Sequence, residues 1–185
     1  MAFKDSNYEG PKDTASSYLD YKDVGKHQFR FMGDVEAYNR YWKDKKPYRY
    51  VNEDEVPDDI DYSDKYKKKQ KEHVWAVVAI KREGKGNTIG ILTITQATVQ
   101  KQLMSLYHDA DYGDFCDYDI VIEKIEGAKV SYQVTPKPPK PTSKEDLELY
   151  ETFEPKDLSK KDMPDDPSRM TNKMVEDVSS IELPF

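Results

Sequence analysis

His73-Val74-Trp75-Ala76-Val77-Val78-Ala79-Ile80-Lys81-Arg82 is the stretch on which the fold turns. It is short, apolar and rich in β-branched and aromatic residues, which marks a strand. Glu83-Gly84-Lys85-Gly86-Asn87 supplies glycines for a hairpin turn, and Thr88–Thr95 (TIGILTIT) returns as the partner strand. In extended backbone Val74, Ala76, Val78 and Ile80 share one face and Trp75, Val77, Ala79 and Lys81 the other. Lys81 prefers water, so Trp75 reads either as an outward stacking platform or as core.

Upstream, Lys26–Gly33 (KHQFRFMG) alternates: His27, Phe29 and Phe31 on one side, Gln28, Arg30 and Met32 on the other. The period of two predicts a half-buried strand with Arg30 facing outward. Downstream, Val99, Leu103, Leu106 and Tyr107 recur at helical spacing, predicting a helix over 96–107 capped by Thr95 or Thr98. Tyr118–Glu126 and Lys129–Thr135 read as two more strands joined at Gly127-Ala128. Five strands with one helix between the third and fourth predict a mainly β domain, an OB-fold-like barrel over residues 25–135. Residues 1–24 read as a lead-in segment. Residues 136–142 contain Pro136, Pro138, Pro139 and Pro141 and read as an extended linker. Residues 143–185 read as an acidic, largely disordered tail, with a short helix possible over Lys144–Tyr150.

The chain has 185 residues with 36% apolar and 35% charged side chains, so not all of it packs into one core. Its net charge is −7, which argues against a polyanion partner until the distribution is considered. Residues 143–185 carry −6 and residues 1–142 only −1, leaving room for a basic surface on the body. The single cysteine, Cys116, excludes an internal disulfide framework and points to a reducing compartment. No apolar run spans a bilayer and no signal-peptide pattern opens the chain, so a cytoplasmic protein without membrane partners is expected. The sequence marks no subunit interface, metal site or cofactor. Asp109–Asp114 departs from a calcium loop at its sixth position, and His27, His73 and His108 lack ligand spacing. No catalytic motif emerges, and a non-enzymatic protein is expected.

Residues 34–72 form a long connection without sustained periodicity, rich in Tyr, Trp and charge. Within it stand Arg40, Tyr41, Trp42 and Lys43, then Lys46, Tyr48, Arg49 and Tyr50. Single-stranded nucleic acid is held by rings that stack on bases and cations that follow phosphates, and this cluster interleaves both. The alternative is a helical stripe of Tyr38, Tyr41 and Trp42 packed on the barrel. Lys65–Lys71 (KYKKKQK) reads as a phosphate-following arm or as a loop that neutralises its acidic neighbours.

The chain ends in Glu176-Asp177-Val178-Ser179-Ser180-Ile181-Glu182-Leu183-Pro184-Phe185. This resembles the tip of bacterial single-stranded DNA-binding proteins. A terminal Phe fills an apolar pocket, its carboxylate meets a base, and flanking acids steer the approach. Asp177, Ile181, Glu182, Leu183, Pro184 and Phe185 are the partner-binding candidates. The body carries Phe29-Arg30-Phe31, Tyr41-Trp42-Lys43, Lys46-Pro47-Tyr48-Arg49, Trp75-Ala76-Val77, Ile91–Gln96, Tyr118-Asp119-Ile120 and Val134-Thr135-Pro136 in one order. Together with the tip, this is similar to a family of phage-encoded single-stranded DNA-binding proteins with OB-folds.

That resemblance implies a coat for single strands in viral DNA replication and recombination, acting in the host cytoplasm and recruiting other replication and recombination proteins through its tail. The expected DNA-binding residues are Arg30, Arg40, Tyr41, Trp42, Lys43, Lys46, Tyr48, Arg49, Tyr50, Trp75 and Lys81. The competing reading is a protein–protein adaptor whose tail mimics nucleic acid or such a tip.

Overall fold

In the computed structural model the described residues are 18–63, 68–127, 131–154 and 157–163. The elements in chain order are β1 (Tyr18–Leu19), β2 (Gly25–Phe31), β3 (Glu36–Lys43), β4 (Lys46–Tyr50), β5 (Tyr62–Ser63), β6 (Lys68–Lys69), β7 (Lys71–Glu83), β8 (Gly86–Ile94), α1 (Ala97–Tyr107), β9 (Asp119–Lys124), β10 (Tyr132–Pro136) and α2 (Lys144–Thr152). The protein is mainly β. Its described residues divide into one unit drawn from 18–34 and 76–154 and a second drawn from 35–75 and 157–163.

The first unit contains the five predicted strands, in the spatial order β8-β7-β2-β9-β10, with β1 added in parallel beside β8. β2 is antiparallel to both β7 and β9, and β10 is antiparallel to β9. The β7–β8 turn falls at Gly84-Lys85, and Gly86 adopts φ 138°, a conformation that favours glycine. The path is open, and no closed barrel is formed among the described residues. One physical reason lies at the outer edge of β10. The Gln102 side chain on α1 accepts from Val134 N at 2.9 Å and donates to the Tyr132 carbonyl at 3.2 Å. A single amide thereby stands in for a neighbouring strand at that edge.

Residues 74–80 of β7 are all buried, so the strand is covered on both faces rather than one. An uninterrupted apolar run fits that placement better than alternation does. The N-cap of α1 is Gln96, not Thr95 or Thr98, and its side chain makes no capping bond; Val99 and Leu103 are buried while Tyr107 is exposed. α2 is capped by Ser143, whose hydroxyl accepts from Asp146 N. The beginning of the region expected as tail is therefore structured. The Pro-rich segment is fastened too: Lys137 N donates to the Asp119 carbonyl and Lys140 N to the Asp117 carbonyl, both at 2.8 Å.

In the second unit β3 pairs with β4 and with β7, and β5 pairs with β6. The connection expected over 34–72 thus contains strands β3 to β6 and the start of β7, and the helical stripe of Tyr38, Tyr41 and Trp42 does not form. Residues 157–163 belong to this unit, with Leu158 buried. No helix among the described residues is long and apolar enough to cross a membrane.

Candidate nucleic-acid interface

The β3–β4 hairpin turns at Asp44 and Lys45, which have φ 52° and 61°. Two consecutive left-handed residues make the tight turn that matches strand twist. Neither residue is glycine, and the strain is offset by Asp61, whose carboxylate accepts from Asp44 N at 3.1 Å and Lys45 N at 2.9 Å. Register then sorts the cluster. Asn39 faces Tyr50, Tyr41 faces Tyr48, and Lys43 faces Lys46; Arg40 faces Arg49 and Trp42 faces Pro47. Because successive side chains alternate, the first three pairs occupy one face and the last two the other.

The first face is a tyrosine platform. Tyr41 stacks on Tyr48 at 5.5 Å between centroids with planes 20° apart, and lies 6.0 Å from Tyr50. Tyr41 and Tyr48 are half-buried, whereas Tyr50 is buried and bonds Glu53. At the turn end Lys43 is held by both oxygens of Asp59, at 2.8 and 2.7 Å. Lys46 is exposed, and no carboxylate among the described residues pairs with it.

The second face is occupied by the protein itself. Arg40 donates to Glu72 at 2.8 Å and Asp162 at 3.2 Å, and its guanidinium lies 5.1 Å from the Trp42 ring centroid. Trp42 is half-buried and spends its indole N–H on Glu72 at 3.2 Å. Arg49 donates to Glu36 and to the carbonyls of Leu158 and Ser159, and covers the Tyr38 ring at 3.8 Å. Asp162, only 5% exposed, also accepts from Tyr38 at 2.6 Å and Lys161 at 2.9 Å. Burial would raise the Asp162 pKa, but the bonds from Tyr38, Lys161 and Arg40 outweigh it and hold it low. Arg40 and Arg49 are therefore structural cations here, not open phosphate contacts.

Arg30, expected to face outward, is internal as well. It is 2% exposed, opposite Asp119 in register, and bonds Asp119 at 2.6 Å and the carbonyls of Cys116 and Lys140 at 2.9 Å. Arg82 joins from β7, bonding Asp119 at 3.0 Å and Asp146 at 2.5 Å. Burial alone would raise the Asp119 pKa; the bonds from Arg82 and Arg30 bring it down to about 2. Trp75, at 9% exposure, is core rather than platform. Lys81 donates to the Asp20 carbonyl at 2.9 Å and lies 3.7 Å from Glu83.

Of the expected DNA-binding residues, the structure gathers Tyr41, Lys43, Lys46 and Tyr48 on one face; Tyr50 shares that face but is buried, so it supports the platform and is not an open stacking ring. The structure assigns Arg30, Arg40, Arg49 and Trp75 to internal packing. The tip residues Asp177, Ile181, Glu182, Leu183, Pro184 and Phe185 lie outside the described residues. Sequence reasoning missed Asp162 and Glu72, because nothing local distinguishes a carboxylate that will meet an arginine from its many neighbours. No family model, curated protein or solved structure matches the chain.

Proposed function

We propose that the protein binds single-stranded DNA without strong sequence preference, through the Tyr41–Tyr48 face of the β3–β4 hairpin. The observation that carries this reading is the stacked tyrosine pair with Lys43 and Lys46 at its end. Every base has a π-face, so a ring platform tolerates any sequence, and stacking contributes about 1–3 kcal/mol per base. Lysine beside the platform supplies the phosphate contact. An OB-like reading of the first unit is supported by its five strands and by α1 between the third and fourth, since such barrels are often partly open. The acidic Leu183-Pro184-Phe185 end is assigned to recruitment of replication and recombination proteins.

The test is a titration of labelled oligo-dT and of duplex DNA with the full chain and with a Tyr41→Ala/Tyr48→Ala variant. Binding of oligo-dT in preference to duplex, lost in the variant, supports the proposal. Equal binding by the variant removes the platform from the mechanism. No binding of oligo-dT, with a protein partner still captured by the tail, favours the adaptor reading.

A further inference from the structure

Three lysines of the second unit come from three separate strands: Lys43 from β3, Lys69 from β6 and Lys71 from β7. Each is paired to a carboxylate of one short continuous segment. Lys43 meets Asp59 at 2.7 Å, Lys69 meets Asp58 at 3.6 Å, and Lys71 meets Glu53. Residues 53–59 contain Glu53, Asp54, Glu55, Asp58 and Asp59 and no basic residue. The two readings of the lysine-rich stretch, phosphate-following arm and neutraliser of acidic neighbours, therefore meet in one arrangement.

The segment is held where it can act. It leaves β4 at Tyr50, whose hydroxyl bonds Glu53, and is fixed again at Asp61, which accepts from the Asp44-Lys45 turn. Between these points Glu55 accepts from Val51 N and Asn52 N, closing a 3-10 turn at Glu53–Glu55. Glu53 thus stands at the Tyr50 end of the tyrosine face and Asp59 at the Lys43 end. The carboxylates of these pairs are far more exposed than the lysines, so a pair can open without exposing any core.

We infer that residues 53–59 are a built-in competitor for polyanions, occupying Lys43, Lys69 and Lys71 until phosphates displace the carboxylates. The inference rests on the single-strand reading for its ligand, and its chemistry is that of ammonium groups exchanging carboxylate for phosphodiester oxygens. It also accounts for how a chain of net charge −7 keeps cations ready at both ends of a stacking surface, Lys43 at one and Lys71 at the other. Exposed pairs of this kind are individually weak, so they tune affinity instead of blocking binding. A freed carboxylate takes up mobile cations as the nucleic acid gives them up, so the intact protein shows a shallower salt dependence than its phosphate contacts alone would give.

The experiment uses the full chain, a Glu53→Gln/Asp58→Asn/Asp59→Asn variant, and a control with the same charge change elsewhere, Asp111→Asn/Glu126→Gln/Glu145→Gln. Each is titrated across a salt series with labelled oligo-dT and with inorganic polyphosphate. The first variant is expected to bind both polyanions about tenfold more tightly at low salt, two- to threefold per pair. Its slope of log affinity against log salt is expected to steepen by up to about 2, near 0.7 for each lysine released. The control should shift affinity by less than about threefold, because its charges oppose none of these three lysines. An unchanged slope, or a control that matches the variant, overturns the inference. Wild type that binds polyphosphate but not oligo-dT overturns the single-strand reading, and the competitor then stands or falls on the polyphosphate slopes. Binding of neither polyanion by any form overturns both.

Discussion

Tyr41 and Tyr48 stand opposite one another across the β3–β4 ladder, their ring centroids 5.5 Å apart and their planes 20° from parallel. Trp75, another of the aromatic candidates, is instead buried in β7.

The two kinds of ring predict opposite phenotypes. Tyr48→Ala is expected to weaken oligo-dT binding by about 1–3 kcal/mol while leaving the urea midpoint near wild type, and Tyr48→Phe keeps most of the affinity because the ring does the stacking. Trp75→Ala is expected to cost about 3–5 kcal/mol of stability through lost burial and a cavity. A Trp75→Ala protein as stable as wild type but unable to bind would reverse these assignments.

Arg30 and Asp119 form the centre of a buried charge network with Arg82 and Asp146. Arg30→Ala breaks the buried pair with Asp119, which keeps Arg82 and Gln28, and removes the bonds to the Cys116 and Lys140 carbonyls, at an expected cost of about 3–5 kcal/mol in urea unfolding. The network also sets an acid limit. Asp119 titrates at about 2 when folded, below its ordinary 3.8, so its contribution is complete above pH 3.8 and disappears as pH falls towards 2. Asp119→Asn should be less stable at neutral pH and should lose less of its remaining stability over that acid window. Parallel pH–stability curves for the two proteins would remove Asp119 from this role.

Truncation should separate the acidic tip from the segment that completes the second unit. A chain ending at Met163 keeps Leu158 buried and keeps Asp162 on Tyr38 and Arg40, so its melting temperature is expected to match the full chain. A chain ending at Phe153 loses those groups and leaves Arg40 and Arg49 short of their partners, an expected loss of several kcal/mol by the usual cost of breaking buried pairs. Equal melting temperatures for both truncations would show that residues 157–163 add nothing to the fold.

Gln102 is expected to guard the edge of β10. Gln102→Ala leaves Val134 N and the Tyr132 carbonyl without their bonds, costing about 1–3 kcal/mol and raising amide hydrogen exchange at Val134. Gln102→Glu keeps the acceptor for Val134 N but loses the donor to Tyr132, and should fall between the two. Unchanged exchange at Val134 in Gln102→Ala would show that the edge is protected by something other than this amide.

What the chain declares on its own is local. The apolar run His73–Arg82, the glycines at 84 and 86, the 3.6-residue period of Val99 and Leu103 and the alternation around Phe29 each lead to the element observed, because strand, turn and helix are governed by neighbours a few residues away. The β3–β4 hairpin was illegible for a local reason too: aromatic and charged residues occupy both of its faces, and Asp44-Lys45 is no standard turn signal. Tertiary structure alone decided which cations are spoken for. Arg30 finds Asp119 across 89 positions, Arg49 finds the Leu158 carbonyl across 109, and Arg40 finds Asp162 across 122. Whether a guanidinium faces solvent or a buried carboxylate depends on what folding brings beside it, and a charge out of water must be paired, so these arginines left the surface where spacing alone had placed them.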